Sequence, residues 1–311
     1  MMNPTISIVS PVYRADKIVE KLVLELKNTV TKMGVSYEII LVDDRSNDNS
    51  WEVMKKIAQE HWEVKCIRLS RNFGQHPTIM AGLSQAKGEW IVVMDCDLQD
   101  QPKEISKLYE KALEGFEVVQ ARRTVREDSF FKKMYSKVFS KIYGFFTDTV
   151  YDNEIANFGI YHKKAIQSVL QLGDSIKFFP LFINYVGYNT TSIPVEHAQR
   201  EEGKSTYSFS KLISLAFNTI ISFSNKPLKL FVKFGMLISA LSFGVGVYYL
   251  YQALNNEIAV LGYTSIIVSI WFLSGIIITT IGVTGIYIGK IFDQTKNRPV
   301  YIIDEIVCLK N

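Results

Sequence analysis

The chain has 311 residues, of which 48% are apolar, and a formal net charge of +4. That length holds one α/β domain of roughly 200 residues with something smaller beside it, and so slight a basic excess, with no nucleic-acid module in the sequence, sets nucleic acid aside as a partner. Cys66, Cys96 and Cys308 lie at unrelated spacings, which excludes a zinc pattern and a disulfide framework and reads as reduced cytosolic thiols.

Met1-Met2-Asn3-Pro4 runs directly into a strand, without an apolar secretory region behind a charged start. The strand is Ile6-Ser7-Ile8-Val9. A helix follows from about Ile18 to Met33, then a strand at Tyr37 to Val42, a helix near Trp51 to Glu60 and a strand at Cys66 to Leu69. A helix near His76 to Ala86 leads into the run Trp90 to Met94, short, apolar and rich in β-branched residues. Such runs are buried strands of a parallel sheet, and their alternation with helices predicts a doubly wound α/β fold. A further strand is expected at Phe116-Glu117-Val118-Val119. Right-handed crossovers would bring the strand ends to one rim, where open α/β sheets bind ligands.

The residues at that rim are Ser10-Pro11-Val12-Tyr13, Asp43-Asp44-Arg45-Ser46, Ser70-Arg71-Asn72-Phe73-Gly74 and Asp95-Cys96-Asp97. An aromatic ring can cover a nucleobase, an aspartate can accept its N–H or the ribose hydroxyls, and cations can face phosphate. Ser46 or Asp48 is expected to cap the next helix, leaving Asp44 for ligand. Asp95 and Asp97 offer hard oxygens suited to Mg²⁺ or Mn²⁺ on a diphosphate, with Gln99 and Asp100 within reach of the same ion. Alone, an acidic pair of this kind is as often a solvated turn.

Toward the C-terminus the composition changes. The segment 130–143 interleaves aromatics and lysines at helical spacing, as an interfacial helix would, and 209–223 has a similar apolar face. No charge occurs from Phe234 to Gln252 or from Ile258 to Gly289. Each stretch reaches the roughly 20 residues that cross a bilayer core of about 30 Å. Lys226, Lys229 and Lys233 precede the first, Lys290, Lys296 and Arg298 follow the second, and the short connection between them has no lysine or arginine. The positive-inside rule then puts both flanks, and the large N-terminal domain, in the cytoplasm.

The series V-S-P-V-Y, V-D-D-R-S, R-N-F-G-Q-H, M-D-C-D-L-Q-D and R-E-E-G-K-S-T-Y, followed by two apolar spans and the tail motifs G-I-Y-I-G-K and R-P-V-Y-I-I, resembles the bacterial polyprenyl-phosphate glycosyltransferases. These are relatives of dolichol-phosphate mannose synthase within glycosyltransferase family two, with the bactoprenol glucosyltransferases and the aminoarabinose transferases of lipid A modification nearest. The resemblance covers nearly the whole chain. It implies a GT-A fold, Rossmann-like with a mostly parallel sheet, over residues 1–207. An amphipathic juxtamembrane helix would occupy 208–228, a two-helix transmembrane hairpin 229–290 and a cytoplasmic tail 291–311. The implied reaction is inverting transfer of a hexose, with UDP-glucose favoured as donor, to undecaprenyl phosphate at the cytoplasmic membrane. Both termini would be cytoplasmic and the product would serve cell-envelope glycans such as O-antigen. A homo-oligomer, a tetramer included, is implied as well.

By the same resemblance Pro11, Tyr13, Asp43 and Asp44 would hold the nucleoside, and Asp95, Asp97 and Gln99 the metal and donor diphosphate. Arg123 and Arg126 match a basic R-x-x-R element. Arg200, Lys204, Ser205 and Tyr207 match a loop that closes over phosphates, where pre-positioned cations would stabilise charge on the leaving group. One position departs from the pattern: many relatives carry an aspartate, discussed as a base, where this chain has Asn157. An amide can orient but cannot accept a proton at neutral pH. A phosphate monoester, with a second pKa of about 6, is already mostly dianionic and needs little deprotonation, so Asn157 fits a lipid-phosphate acceptor better than a sugar hydroxyl. Asp152 and Glu154 are the other nearby carboxylates. The competing readings are a family-two transferase with another acceptor and a catalytically silent, membrane-anchored nucleotide-binding scaffold. A processive polysaccharide synthase would carry Q-x-x-R-W, and no tryptophan here follows an arginine.

Overall fold

The first half of the chain folds as its apolar periodicity dictates: β1 (Ile6–Val12), α1 (Val19–Met33), β2 (Tyr37–Asp43), α2 (Ser50–Glu60), β3 (Val64–Leu69), α3 (Gln75–Leu83) and β4 (Trp90–Val93). There follow α4 (Ile105–Leu113), β5 (Val118–Arg123), β6 (Ile155–His162), α5 (Lys163–Gln171), α6 (Phe179–Tyr185), β7 (Thr190–Val195), the long helices α7 (Lys226–Leu254) and α8 (Tyr263–Thr295), and β8 (Ile303–Val307). This computed structural model describes residues 3–123, 144, 155–174, 178–196, 224–255 and 262–309. The amphipathic helices expected at 130–143 and 209–223 lie outside the described residues, apart from residue 144 beside the first.

One eight-stranded sheet has the order β7-β5-β6-β4-β1-β2-β3-β8. Its centre is parallel, with Ile8 of β1 paired to Ile39 of β2 and to Val92 of β4. β6 runs antiparallel between β4 and β5, pairing Val93 with Gly159, and β8 runs antiparallel on β3, pairing Ile67 with Ile306. Because β5 and β7 are parallel to each other, six of the eight strands point one way. The sheet is thus mostly parallel in direction but mixed in pairing.

Every residue of β1 is buried, as a central strand covered on both faces requires. α1 turns Leu22, Leu26 and Val30 into the core, and α2 turns Trp51, Met54 and Ala58. α3 reaches the sheet only because residue 82 has no side chain. A Cβ there would stand 2.4 Å from Val9 Cγ1 and 3.1 Å from Val42 Cγ2, both on the strands beneath.

The chain divides into two compact units, one comprising Met1–Ile142, Thr149–Thr206 and Arg298–Asn311, the other Tyr143–Asp148 and Tyr207–Asn297. Residues 298–311 of the segment expected as a cytoplasmic tail group with the sheet. The physical reason is β8, which satisfies the backbone groups of β3 along an edge that would otherwise be open.

In the second unit, α7 has 29 residues and α8 has 33, long and apolar enough to cross a membrane. Neither is a buried core helix, since Phe243 is 75% and Trp271 77% exposed. Along α8 the hydroxyls of Thr279, Thr280 and Thr284 donate to the helix's own carbonyls at Gly275, Ile276 and Thr280. That is how polar groups are satisfied in an apolar surrounding. Tyr287 Oη donates to the Ser224 carbonyl at 2.8 Å, tying α8 to the start of α7.

Gly82→Ala should destabilise the sheet unit by about 1–3 kcal/mol through overpacking. Thermal melting of the purified protein would show it, and an unchanged midpoint would mean that α3 can lift off β1 without loss.

Candidate functional site

The C-terminal ends of β1, β2, β3 and β4 form one rim, and the backbone there is strained. Arg14 (φ 54), Arg45 (φ 55) and Leu98 (φ 55) are non-glycine residues in the left-handed region, one in each loop after β1, β2 and β4. Each such residue costs of order 1 kcal/mol, and clusters of them mark functional sites.

Asp44, just after β2, is 4% exposed. Its Oδ1 accepts the Phe73 N–H at 2.7 Å and its Oδ2 the Gly74 N–H at 2.9 Å. Burial pushes its pKa up, while hydrogen bonds from Phe73, Gly74 and the Thr78 side chain pull it back and the neighbouring Asp43 charge adds to the rise. Gly74 sits at φ 94, a conformation open to glycine, and its carbonyl accepts from Thr78 as α3 begins. Asp43 is fully buried; its Oδ1 accepts the Ser46 N–H at 3.0 Å, and its Oδ2 lies 3.4 Å from Arg68 Nε. The Arg68 guanidinium lies over the Trp51 ring at 5.5 Å. Asp43 and Asp44, both expected at the nucleoside, thus each accept backbone N–H groups of the rim loops.

Of the two residues expected at the start of α2, Asp48 takes the role and Ser46 does not. Ser46 does not cap α2: its Oγ accepts the Arg14 N–H at 3.0 Å and ties the first loop to the second. Asp48 serves the helix start by accepting the Ser50 N–H at 3.1 Å, while Asn49 occupies the cap position without a side-chain bond. Pro11 is buried within β1, opposite Val42. Tyr13 is 45% exposed, with the Arg14 guanidinium over its ring, 5.2 Å from the centroid. Arg71 is exposed over Phe73, 4.1 Å from the ring centroid.

After β4 the side chains alternate. Cys96 packs against the core, its thiol pushed up to about 12 by burial and by the Asp95 charge, which leaves it inert as a nucleophile. Asp95 and Asp97 on either side are half-buried. Gln75 Nε2 donates to Asp95 Oδ1 at 2.7 Å, and Asp97 Oδ1 accepts the Gln99 N–H at 3.2 Å. Asp100, expected near the same ion, is 1% exposed and so buried below the rim. The register that pairs Val93 with Gly159 carries Asn157, half-buried, toward the same loop.

Among the described residues no cluster of three or more His, Cys, Asp or Glu forms a closed metal cage. Two half-buried carboxylates beside an amide are nevertheless a fitting donor set for a hard divalent ion that completes its shell with water and substrate phosphate. Arg123 ends β5, and only its backbone is described; Arg126, Arg200, Lys204, Ser205, Tyr207, Asp152 and Glu154 lie outside the described residues. Gln75 and His76 were missed by the sequence reading, although both stand in the R-N-F-G-Q-H run directly after a rim strand.

A parallel core bordered by an antiparallel strand, with a carboxylate pair at the end of β4, is the GT-A arrangement of nucleotide-sugar transferases. The Glycosyl transferase family 2 model matches residues 7–170, and the chain belongs to that family of glycosyltransferases. Among full-length relatives, it is 34% identical to "Uncharacterized glycosyltransferase YkcC" of Bacillus subtilis, over 98% of this chain and 95% of that one. It is 33% identical to the undecaprenyl-phosphate 4-deoxy-4-formamido-L-arabinose transferase of Salmonella typhimurium, over 97% of this chain and 93% of that one. Among solved structures, the glucosyl-3-phosphoglycerate synthase of Mycobacterium tuberculosis, in complex with Mn²⁺, UDP and phosphoglyceric acid, superposes with a TM-score of 0.52 at 14% identity, over 70% of this chain and 77% of that one. That likeness shows the fold.

His76 sits in the first turn of α3, its ring edge-on to Phe178 at 4.7 Å, and its Nδ1 is buried without a hydrogen-bond partner among the described residues. Burial pushes its pKa down from 6.5 to about 4. The folded protein therefore keeps the ring neutral where the unfolded chain has taken up a proton. Stability present above pH 6.5 should fall between pH 6.5 and 4. His76→Gln should flatten that part of the stability–pH curve, and a slope identical to wild type would locate the acid sensitivity elsewhere.

Proposed function

We propose that the protein moves a hexose from a nucleoside-diphosphate sugar to the phosphate of a polyprenyl carrier, undecaprenyl phosphate, at the cytoplasmic face of the membrane, with inversion at the anomeric carbon. The observation that carries this reading is β8. The chain leaves the sheet, makes two helices long and apolar enough to cross a membrane and re-enters the same sheet, so a rim bearing Asp95 and Asp97 and a candidate membrane hairpin belong to one polypeptide. Lysines on both flanks of the helix pair favour the cytoplasm for the sheet. The full-length relative that acts on undecaprenyl phosphate supports the acceptor, and the solved relative bound to Mn²⁺ and UDP supports a metal-dependent nucleotide donor. We favour UDP-glucose or a related UDP-sugar. Added Cβ atoms at Gly244, Gly275 and Gly282 would meet nothing within 4 Å, which leaves room for close helix packing in a homo-oligomer.

In this reading Tyr13 covers the base. Asp95, Asp97 and Gln99 would hold Mg²⁺ or Mn²⁺, which would supply positive charge where the leaving diphosphate gains negative charge. Arg123 and Arg126 receive the acceptor or donor phosphate, and Arg200, Lys204, Ser205 and Tyr207 close over it. Asn157 orients the acceptor without removing a proton, since the lipid phosphate arrives ionised.

The test is nucleoside-diphosphate release by detergent-purified protein, with a panel of nucleotide sugars, with or without undecaprenyl phosphate, in Mg²⁺, Mn²⁺ or EDTA. Release that needs both lipid phosphate and metal is expected; nucleotide binding without release from any donor would favour the silent scaffold. Asp97→Ala should abolish turnover and metal-dependent nucleotide binding while the protein stays folded. Asn157→Asp should change the rate only modestly, and a hundredfold gain would show that a missing base limits the reaction.

A further inference from the structure

Asp95 is held by a residue that the proposed reaction does not use. Gln75 is the first residue of α3, and its side-chain amide donates to Asp95 Oδ1 at 2.7 Å across the gap between the β3 and β4 loops. Its own position is fixed one residue earlier, where Gly74 gives its N–H to Asp44 Oδ2 and the preceding Phe73 gives its N–H to Asp44 Oδ1. The turn cannot relax easily. Gly74 is at φ 94, Thr78 closes the first turn of α3 onto the Gly74 carbonyl at 2.8 Å, and Asp44 is buried.

We infer that Gln75 is a positioning residue for the metal carboxylate: its amide fixes the orientation of Asp95, and Asp44, through the Phe73-Gly74 turn, fixes Gln75. A neutral amide suits the task. It donates a hydrogen bond to one carboxylate oxygen without the positive charge that a lysine or arginine would set against a divalent cation. A carboxylate turned into place before the ion arrives does not have to be ordered on binding, and partners of this kind are typically worth 10–100-fold in metal affinity or activity. The inference rests on the reading of Asp95 and Asp97 as metal ligands.

The experiment is a Mn²⁺ titration of the detergent-purified full chain in the presence of UDP, followed by electron paramagnetic resonance, on wild type, Gln75→Met, Gln75→Asn and Asp97→Ala. Methionine keeps the length of glutamine and removes the donor. The expected result for Gln75→Met is a 10–100-fold weaker Mn²⁺ affinity, with a matching rise in the Mn²⁺ needed for half-maximal turnover. The KM for the lipid phosphate and the metal-free melting temperature should stay unchanged. Gln75→Asn, which keeps the amide but is one carbon short of Asp95, should also weaken Mn²⁺, and it carries the test should the methionine variant fail to fold. A lowered melting temperature with wild-type Mn²⁺ affinity would make Gln75 merely structural and overturn the inference. If Asp97→Ala loses Mn²⁺ while both Gln75 variants keep it, the metal reading stands and the inference alone fails. If Asp97→Ala binds Mn²⁺ as wild type does, the metal reading fails and takes the inference with it.

Discussion

A carboxylate almost out of reach of water holds the rim of this sheet together. Asp44 receives two backbone N–H groups from the loop after β3, across the boundary between neighbouring strands. A buried carboxylate without partners would carry a large desolvation penalty, and a buried backbone N–H without an acceptor would carry one of its own. Meeting each other relieves both. The loop after β1 is bound into the same structure through the Arg14 N–H on Ser46 Oγ, and the loop after β2 through the Ser46 N–H on Asp43 Oδ1. Three strand ends are thereby fixed relative to one another, and the left-handed residues among them are held against their own preferences.

The loop after β4 divides its labour by parity. Met94, Cys96 and Leu98 pack with the core, and Asp95 and Asp97 between them supply charge. Two like charges so close repel each other. A divalent cation held between them would convert that repulsion into attraction. Both carboxylates are only half-buried, and so remain within reach of solvent.

The central strands were legible because a strand covered on both faces is predominantly apolar, as Ile6–Val12, Tyr37–Asp43 and Trp90–Val93 are. Asp95 and Asp97 were legible because they follow such a run directly. Asp43, Asp44 and Ser46 were harder. An aspartate that meets a nucleoside and one that meets a backbone N–H are the same residue at the same rim, and only the path of the neighbouring loop tells them apart. That path depends on Gly74, thirty residues further along the chain. β7, with the polar sequence TTSIPV, and β8, with two acidic residues in IDEIV, are edge strands. Half-exposed edges tolerate polar residues, so the apolar signal fades there.

The antiparallel pairing of β8 with β3 also orders the protein's birth in time. Ile303 joins Leu69 more than 230 residues after that residue is made. At a synthesis rate of about 5–20 residues per second, the outer edge of β3 waits roughly 10–50 s for its partner. Both long helices emerge from the ribosome in that interval. β8 therefore completes the sheet only after both long helices have been made, and a chain that failed to bring β8 back would keep an open β3 edge.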